Sequence, residues 1–375
     1  MKNLSKTVVL LTSLGFAAAA SAEVRINGFA NLIGGITSSD DALYGYDDSL
    51  SFKSESSFAL QVSGDINDKM TATGQIIARG EDDYDAEFEW AYFTFNATDH
   101  VSISAGRLRL PLFKYSASRD VGYSYHWVNT PRAVYAVPFN NLDGVRVDYG
   151  NYAGDWEYNF QLAVGTFSGD NELGDIEGKN VVVGTAELQR DWFKARVVAG
   201  RGKTTLNADS VSNITNALAQ ISPELADDLD LRDDSGLFLG VGLEADFYDW
   251  FISGEFTTID VENSFSPEDK AFYITAGMRF GAFTPSMTYE KLDGRGDIRF
   301  LDKVAVLPAG FQAAATAAVV GLQQAVADEY DVFTLGVRYD YDTNIALKAD
   351  ISSYTSDIDD SLDTGLLRFA VNYIF

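Results

Sequence analysis

The chain has 375 residues, with 28 Lys and Arg against 55 Asp and Glu, and its formal net charge is −27 at pH 7. So acidic a protein is not expected to bind nucleic acid, because it would repel the phosphates. It contains no cysteine, which excludes disulfides and thiol chemistry.

The first 22 residues have the pattern of a secretory signal peptide. Lys2 and Lys6 precede an apolar run over 8–20, and residues 20–22 form a small-residue cleavage site. This run is too short for a spanning helix. We therefore expect an exported mature chain of residues 23–375 with a formal charge of −29, because residues 1–22 carry two lysines and no acid.

Apolar and polar residues alternate with a period of two in sixteen segments of the mature chain, which predicts sixteen β-strands. The segments are residues 24–36, 56–66, 70–79, 87–96, 101–110, 144–151, 155–166, 181–189, 192–203, 236–246, 250–261, 271–280, 283–291, 332–339, 345–355 and 365–375. One face carries side chains such as Leu237, Leu239 and Val241, whereas the other carries polar ones such as Thr284 and Thr288.

The connections between these segments alternate between short turns and long stretches rich in Asp, Gly and Ser. A large soluble β-protein is one interpretation of the composition, but such a protein has no reason to sort its loops by length. Barrels of the outer membrane have short periplasmic turns and long outer loops. The sequence therefore predicts an all-β protein, a 16-stranded antiparallel transmembrane β-barrel in the cell outer membrane, with long outer loops at 110–143, 204–235 and 292–331.

Features near the strand ends agree with a barrel in lipid. Aromatic residues are expected to form girdles at the two interfaces; they include Trp90, Trp156, Trp192, Trp250 and Tyr373. The last strand ends on Phe375 and is expected to pair with the first, since an unpaired edge in lipid would leave backbone groups without hydrogen bonds.

Two stretches depart from the alternation and have helical character, residues 210–231 and 304–327. The second lacks charged residues, yet Pro308, Gly310 and three glutamines interrupt it. A spanning helix there would also break the up-and-down order of the strands. We expect helices within two outer loops, lying over the mouth of the barrel.

Several stretches resemble the 16-stranded diffusion porins of Gram-negative outer membranes. GDINDKMTATGQ (64–75) is similar to the second turn and third strand of that family, FEWAYFTFNATDHVSISAGR (88–107) to its fourth and fifth strands, and NLDGVRVDYG (141–150) to the strand after its third loop. Phe375 matches its terminal aromatic residue. The resemblance implies a homotrimer of water-filled barrels, each narrowed by an inward-folded third loop, that passes small hydrophilic solutes and ions. It also implies recognition of Phe375 by the barrel-assembly machinery.

The resemblance makes Arg107 a candidate arginine of the pore constriction. Arg107 shares the parity of Ile103 and Ala105, so a bulge at Gly106 is needed to turn it inward. The family's basic position on the second strand is Ala59 here, and the acidic stretch of the third loop is missing.

Cationic residues outnumber acids between 107 and 146, so we hypothesise a net-basic constriction, because rings of charge at the narrowest point set selectivity. The candidates are Arg107, Arg109, Lys114, Arg119, Asp120, Arg132, Arg146, Arg338, Lys348 and Arg368. The alternative is that these charges are solvated or paired with acids such as Glu89, Asp148 and Asp350 and set no selectivity.

Other functions are weaker alternatives. A substrate-selective channel for saccharides or anions is one alternative. Aromatic residues between 113 and 139 could stack sugar rings, but packing of the loop is the favoured interpretation. An enzyme is not expected, because the only histidines, His100 and His126, have no nucleophile motif beside them. A structural or adhesive barrel is disfavoured because sixteen strands enclose a wide lumen. Acidic outer loops are expected to face lipopolysaccharide, and neither a metal site nor a cofactor is predicted.

Overall fold

Sixteen antiparallel strands form one closed sheet in the computed structural model, which describes residues 23–40, 43–170, 173–262 and 264–375. The strands are β1 (Val24–Thr37), β2 (Ser57–Asn67), β3 (Met70–Arg79), β4 (Ala86–Asn96), β5 (Val101–Arg109), β6 (Asn141–Ala153), β7 (Trp156–Asp170), β8 (Asp175–Arg190), β9 (Phe193–Asn207), β10 (Asp234–Asp246), β11 (Trp250–Val261), β12 (Asp269–Met278), β13 (Phe283–Asp293), β14 (Glu329–Asp342), β15 (Ile345–Ser356) and β16 (Thr364–Ile374). The predicted strand number is confirmed, and the predicted signal peptide lies outside the described residues.

The barrel closes between its first and last strands, as the sequence indicates. Asn31 of β1 is opposite Asn372 of β16, and the Asn372 side-chain amide donates to the Asn31 side-chain oxygen at 2.8 Å. The backbone groups of Gly28 and Phe375 exchange two hydrogen bonds of 2.9 and 3.0 Å. Closure leaves neither β1 nor β16 with an unpaired edge.

The two faces of the sheet differ in polarity. Leu237, Leu239 and Val241 are between 41% and 47% exposed on the outside. On the opposite face Thr284 and Thr288 are buried. Because strand residues alternate between faces, the local alternation in the sequence is sufficient to place both sets.

Short turns join the strands at one end of the barrel, and aromatic residues gather there. The Trp192 ring stacks on Phe247 with 4.7 Å between centroids, and Phe247 stacks on Trp250 at 4.5 Å. Both tryptophans are more than two-fifths exposed. Partly exposed aromatic side chains of this kind are typical of membrane interfaces.

The strands extend further into the long connections than the alternation indicates. The segment between β5 and β6 covers residues 110–140, and the two others that were predicted cover 208–233 and 294–328. They contain five α-helices: α1 (Arg132–Tyr135), α2 (Asp209–Ala219), α3 (Pro223–Asp228), α4 (Leu301–Ala305) and α5 (Ala309–Val326). Among the described residues, no helix combines the length and the apolar character needed to cross a membrane.

Helices α2 to α5 pack together in what we call the helical cluster. Its buried side chains include Leu225, Val304 and Val319. Lys303 joins its two halves, because its ammonium group lies 2.6 Å from an Asp228 oxygen and 3.1 Å from a Glu224 oxygen. The predicted helical character of 210–231 and 304–327 is therefore confirmed, with both stretches divided into two helices.

Candidate functional site

The polar side of the barrel meets the 110–140 segment through side chains of many strands. Trp127 donates from its indole nitrogen to Thr288 of β13 at 2.9 Å, and the Ala133 amide donates to Glu290 of the same strand at 2.9 Å. Four strands further round the barrel, the Asn31 side-chain amide of β1 donates to the Asp120 carbonyl at 2.7 Å. The segment is thus held from β13 and from the β1 seam.

A β-bulge in β4 creates a highly charged contact with this segment. Gln75 pairs with Trp90 and Ile76 with Phe88, so Glu89 is the extra residue. Both Glu89 and Trp90 turn to the polar side, where Glu89 is 2% exposed and Trp90 donates to Gln61 at 3.1 Å. Trp90 is therefore not part of an outer girdle, contrary to the expectation from its position.

Two arginines and two acids converge at this bulge, and we call them the bulge cluster: Arg79, Glu89, Arg109 and Asp120. Arg79 contacts Glu89 at 2.5 Å and Asp120 at 3.5 Å. Arg109 contacts Glu89 at 2.9 Å and also Asp120. The candidates Arg109 and Asp120 are thus brought together and neutralised by each other and by their neighbours.

Electrostatics within the bulge cluster keep the Asp120 carboxyl ionised. Burial of this carboxyl raises its pKa, but Arg109, Arg79 and Arg119 outweigh burial and lower the pKa to about 2. Two nitrogens of Arg109, Nε and Nη1, are buried and have no hydrogen-bond partner among the described residues. Arg109 therefore retains donors that its acidic neighbours do not use.

Arg107 is not part of this site, which corrects its assignment to the constriction. The pairing of β5 with β6 has no register shift at Gly106, and Arg107 is opposite Asp143. Its guanidinium lies 3.3 Å from an Asp143 oxygen, on the face that exposes Val145. The bulge occurs in β4 instead, so Arg107 keeps the outward parity of its strand.

A second buried network, which we call the Glu55 network, lies next to the seam. Arg368 contacts both Glu55 oxygens at 3.1 Å and an Asp350 oxygen at 2.8 Å. Arg132 approaches Glu55 at 3.2 Å. Burial raises the pKa of the Glu55 carboxyl, yet Arg368 and Arg132 outweigh burial and lower the pKa to about 2.

Lys114 lies at the start of the segment and is fixed to the wall of the barrel. Its ammonium group contacts Glu244 of β10, and its amide donates to Glu255 of β11 at 2.7 Å. Arg196 of β9 donates to the carbonyls of Pro111 and Leu112 at 2.6 and 2.9 Å. These cations therefore serve mainly to hold the segment.

Arg338 and Lys348 are opposite each other on β14 and β15, and both bind backbone carbonyls of the segment. Arg338 donates to Tyr123 at 2.5 Å and to Tyr125 at 2.8 Å. Lys348 donates to the Trp127 carbonyl at 2.6 Å. Lys348, which is 4% exposed, has no carboxylate within 4 Å in the described part of the chain.

The last two candidates lie on opposite sides of the bulge cluster. Arg119 donates to the side chain of Asn140, within the segment. Arg146 lies on β6 and pairs with Asp148 at 2.9 Å. The sequence left open the alternative that these cations are paired with acids. The structure contains two such pairs, Arg146 with Asp148 and Arg368 with Asp350.

A polar cavity of about 500 Å³ separates the segment from the inner side of β5 to β9. Lys114 lines it from the segment side, and Arg109 lines it from the end of β5. Arg146, Asp148 and Arg196 line it from the wall. His100 and Thr98 also line the cavity, so its far end lies at the short turn between β4 and β5. Both signs of charge thus border this space.

Sequence reasoning missed Arg79 and Glu55 as members of these clusters. Arg79 has the parity of Gln75 and Ile77, which are buried, so the alternation of β3 could have placed it on the polar side. Glu55 continues the inward parity of β2 in the same way. No local pattern marks Glu89, because a bulge changes the parity at that residue.

The aromatic residues of the segment form a packed core. Phe113, Tyr125, Trp127 and Tyr135 are buried in one apolar cluster with side chains of the wall. Tyr135 also donates to Glu255. The favoured interpretation, that these rings pack the segment, is therefore confirmed for these four residues.

His126 is not arranged as a catalytic base with an accessible nucleophile. His126 lies 3.0 Å from the Thr275 hydroxyl, but Thr275 is only 1% exposed. Burial lowers the pKa of His126 well below its usual value, and the nearby Lys348 and Lys114 lower it further. Among the described residues, no group of His, Asp and Glu has an arrangement that could hold a metal ion.

Neither a protein-family model nor a curated protein matches this chain in sequence. Solved outer-membrane barrels are similar in fold. The outer membrane channel DcaP of Acinetobacter baumannii has a TM-score of 0.57 at 11% identity, over 96% of this chain and 99% of that chain. The anion-selective porin from Comamonas acidovorans has a TM-score of 0.56 at 11% identity, over 95% and 100%. The trimer form of OmpT, an outer membrane protein of Vibrio cholerae, has a TM-score of 0.52 at 12% identity, over 94% and 99%.

Proposed function

We propose that this protein is an outer-membrane porin, a channel through which small hydrophilic solutes and ions diffuse passively. The observation that carries the proposal is the division of one closed sheet of sixteen strands into an apolar outside and a charged inside. An apolar band suits lipid, and a polar interior suits water. Sixteen strands enclose more space than wall side chains alone can fill.

The 110–140 segment is the proposed third loop that narrows the channel. Its hydrogen bonds to Arg196 of β9, Thr288 of β13 and Asn31 of β1 support this role, since β9 and β1 are separated by seven strands in either direction around the barrel. In this proposal solutes pass through the polar cavity beside β5 to β9 and then past the bulge cluster. Long outer loops and the helical cluster face the outside of the cell.

The constriction is proposed to be weakly selective. Most candidate cations have acidic partners, so the excess of positive charge in the segment is largely compensated. Arg119 has no carboxylate within 4 Å among the described residues, and Arg109 keeps unused donors. These two side chains supply the slight preference for anions that we expect.

The proposal includes how the chain assembles in the membrane. The fold is shared with a barrel described in a trimer form, which supports a homotrimer of this chain. Phe375 is the proposed signal for the barrel-assembly machinery, and the acidic outer loops are proposed to meet lipopolysaccharide. A catalytic role is not proposed, because the pair formed by His126 and Thr275 is closed to solutes.

Swelling of proteoliposomes in sugars of increasing size tests the proposal. Liposomes with the refolded mature chain should swell fastest in the smallest sugars, with rates that fall steadily with size and do not saturate. Liposomes without protein provide the control. Rates equal to that control, or a rate that saturates for one sugar, would contradict a diffusion channel.

A further inference from the structure

A second cavity in the barrel has apolar walls. Its volume is about 280 Å³, and it lies between the 110–140 segment and the helical cluster. Phe167, Val183 and Phe238 border it from the core that includes the segment, and Leu206 and Phe265 border it from the core of the helical cluster. The cavity is therefore a gap between two apolar cores.

Glycines line part of this gap. Gly202 of β9 is opposite Gly236 of β10, and both have the inward parity of their strands. Gly200 is opposite Phe238 in the same pair of strands. A side chain at Gly202 would approach Val181 to 3.0 Å, so the space is shaped closely by its neighbours. The wall of the cavity therefore has backbone rather than side chains at three inward positions.

The walls suit a flat apolar molecule. Phe139 and Phe167 stack at one side, with centroids 4.2 Å apart and ring planes 19° from parallel. The polar side chains at the cavity are few: Arg201, Thr204, Ser266 and Asp269. Water in a cavity needs two to four polar partners, so most of this wall offers it none.

We propose that this cavity binds one small apolar molecule of the size of a monocyclic aromatic hydrocarbon. A Leu/Ile/Phe-lined cavity of about 150 Å³ is known to stay dry and to bind benzene. The cavity here has about 280 Å³, which is room for a substituted ring, and Phe139 and Ile259 are among the side chains that line it. The site is separate from the polar cavity, and the inference does not rest on solute diffusion.

The binding of p-xylene to the full mature chain in lipid nanodiscs, measured by equilibrium dialysis, tests this proposal. Partition into lipid grows linearly with concentration, as measured with empty nanodiscs, whereas a cavity adds a saturable component of one molecule per chain. Ile259→Trp fills the cavity from β11, and Val326→Trp fills it from the end of α5. We expect each to reduce the saturable affinity by about tenfold or more.

Ile252→Trp is the matched control, because Ile252 is on the same strand but on the outer, 39% exposed face. It should bind p-xylene as the wild type does. Heat-dependent gel mobility shows whether each variant is folded. Val326→Trp is useful because it changes a helix and leaves the strands of the barrel unaltered. The proposal is overturned if wild-type binding is only linear, or if either folded filling variant keeps the wild-type saturable component.

Discussion

Arg109 and Arg107 are separated by one residue on β5, yet Arg109 lies on the inner face of the barrel wall and Arg107 on the outer face. Arg109 contacts Glu89 and Asp120, whereas Arg107 contacts Asp143 on the outer face. Arg109→Gln should therefore shift the reversal potential in a salt gradient toward cation preference. Arg107→Gln, which removes the same charge, should leave it at the wild-type value.

These two variants distinguish between two assignments of the constriction arginine, one from the family resemblance and one from the structure. The resemblance assigns the constriction to Arg107, and the bulge at Glu89 assigns it to Arg109. A shift with Arg107→Gln and none with Arg109→Gln would mean that the bulge cluster does not border the ion path.

The pH dependence of stability follows from the Glu55 carboxyl. Its pKa falls from 4.5 to about 2 on folding. Because folding lowers the pKa of this carboxyl, its ionised form stabilises the fold. The stabilisation is complete when the pH is above the pKa of the unfolded chain, and it is lost as the pH falls from about 4.5 to about 2. This contribution is about 3 kcal/mol at neutral pH.

Urea unfolding, followed by gel mobility, measures this contribution. Glu55→Gln should unfold at a lower urea concentration than the wild type at pH 7. The difference between the two urea midpoints should stay constant between about pH 5 and 8 and should decrease below about pH 4.5. Asp83→Asn is the control, because the Lys53 and Asp83 side chains are 55% and 82% exposed and such pairs contribute little. A gap that closes between pH 8 and 6 would contradict the lowered pKa.

At the scale of elements, the seam between β1 and β16 depends on a close approach at Gly28. A Cβ at Gly28 would lie 2.5 Å from the Ala59 carbonyl and 2.3 Å from the Phe375 ring. Gly28→Ala should cost about 1 to 3 kcal/mol through overpacking. Gly74→Ala on β3 has no neighbouring atom within 4 Å of the added carbon.

The same urea assay compares the two variants. We expect a lower midpoint for Gly28→Ala and a nearly unchanged midpoint for Gly74→Ala. Equal midpoints for both would indicate that the seam adapts to the added methyl group, and that Phe375 does not pack tightly against β1.

The elements could be predicted from sequence because their signals are local. The alternation of Leu237, Leu239 and Val241 places β10 in lipid without any tertiary information. Strand ends were less certain, since β8 begins at Asp175 although the apolar alternation begins at 181. Its first residues pair with β9 through the backbone, which the side-chain pattern does not record.

The charged site could be predicted only in part. Parity indicated Lys348 and Arg368, and the excess of cations indicated Arg109, although Arg109 shares the outward parity of Arg107. Glu89 and Asp350 were open as partners, but Glu55 was not. Glu55 and Arg368 are 313 positions apart, and only closure of the barrel brings them together. The bulge at Glu89 depends on how β3 pairs with β4, so neither strand alone predicts it.

At the scale of the whole molecule, the 110–140 segment and the barrel wall share one apolar core and several buried ion pairs. Anchoring of this kind predicts a constriction of fixed width rather than a mobile plug. Both cavities lie beside the segment, one polar and one apolar. The central claim is that the polar side remains an open path for ions.

Single-channel recording of the purified chain in planar bilayers, with unequal KCl on the two sides, tests this claim most directly. We expect stable open conductance in steps that group in threes for a trimer, and a reversal potential with a slight anion preference. Absence of conductance steps at any applied voltage, from protein shown to be folded by gel mobility, would contradict the account.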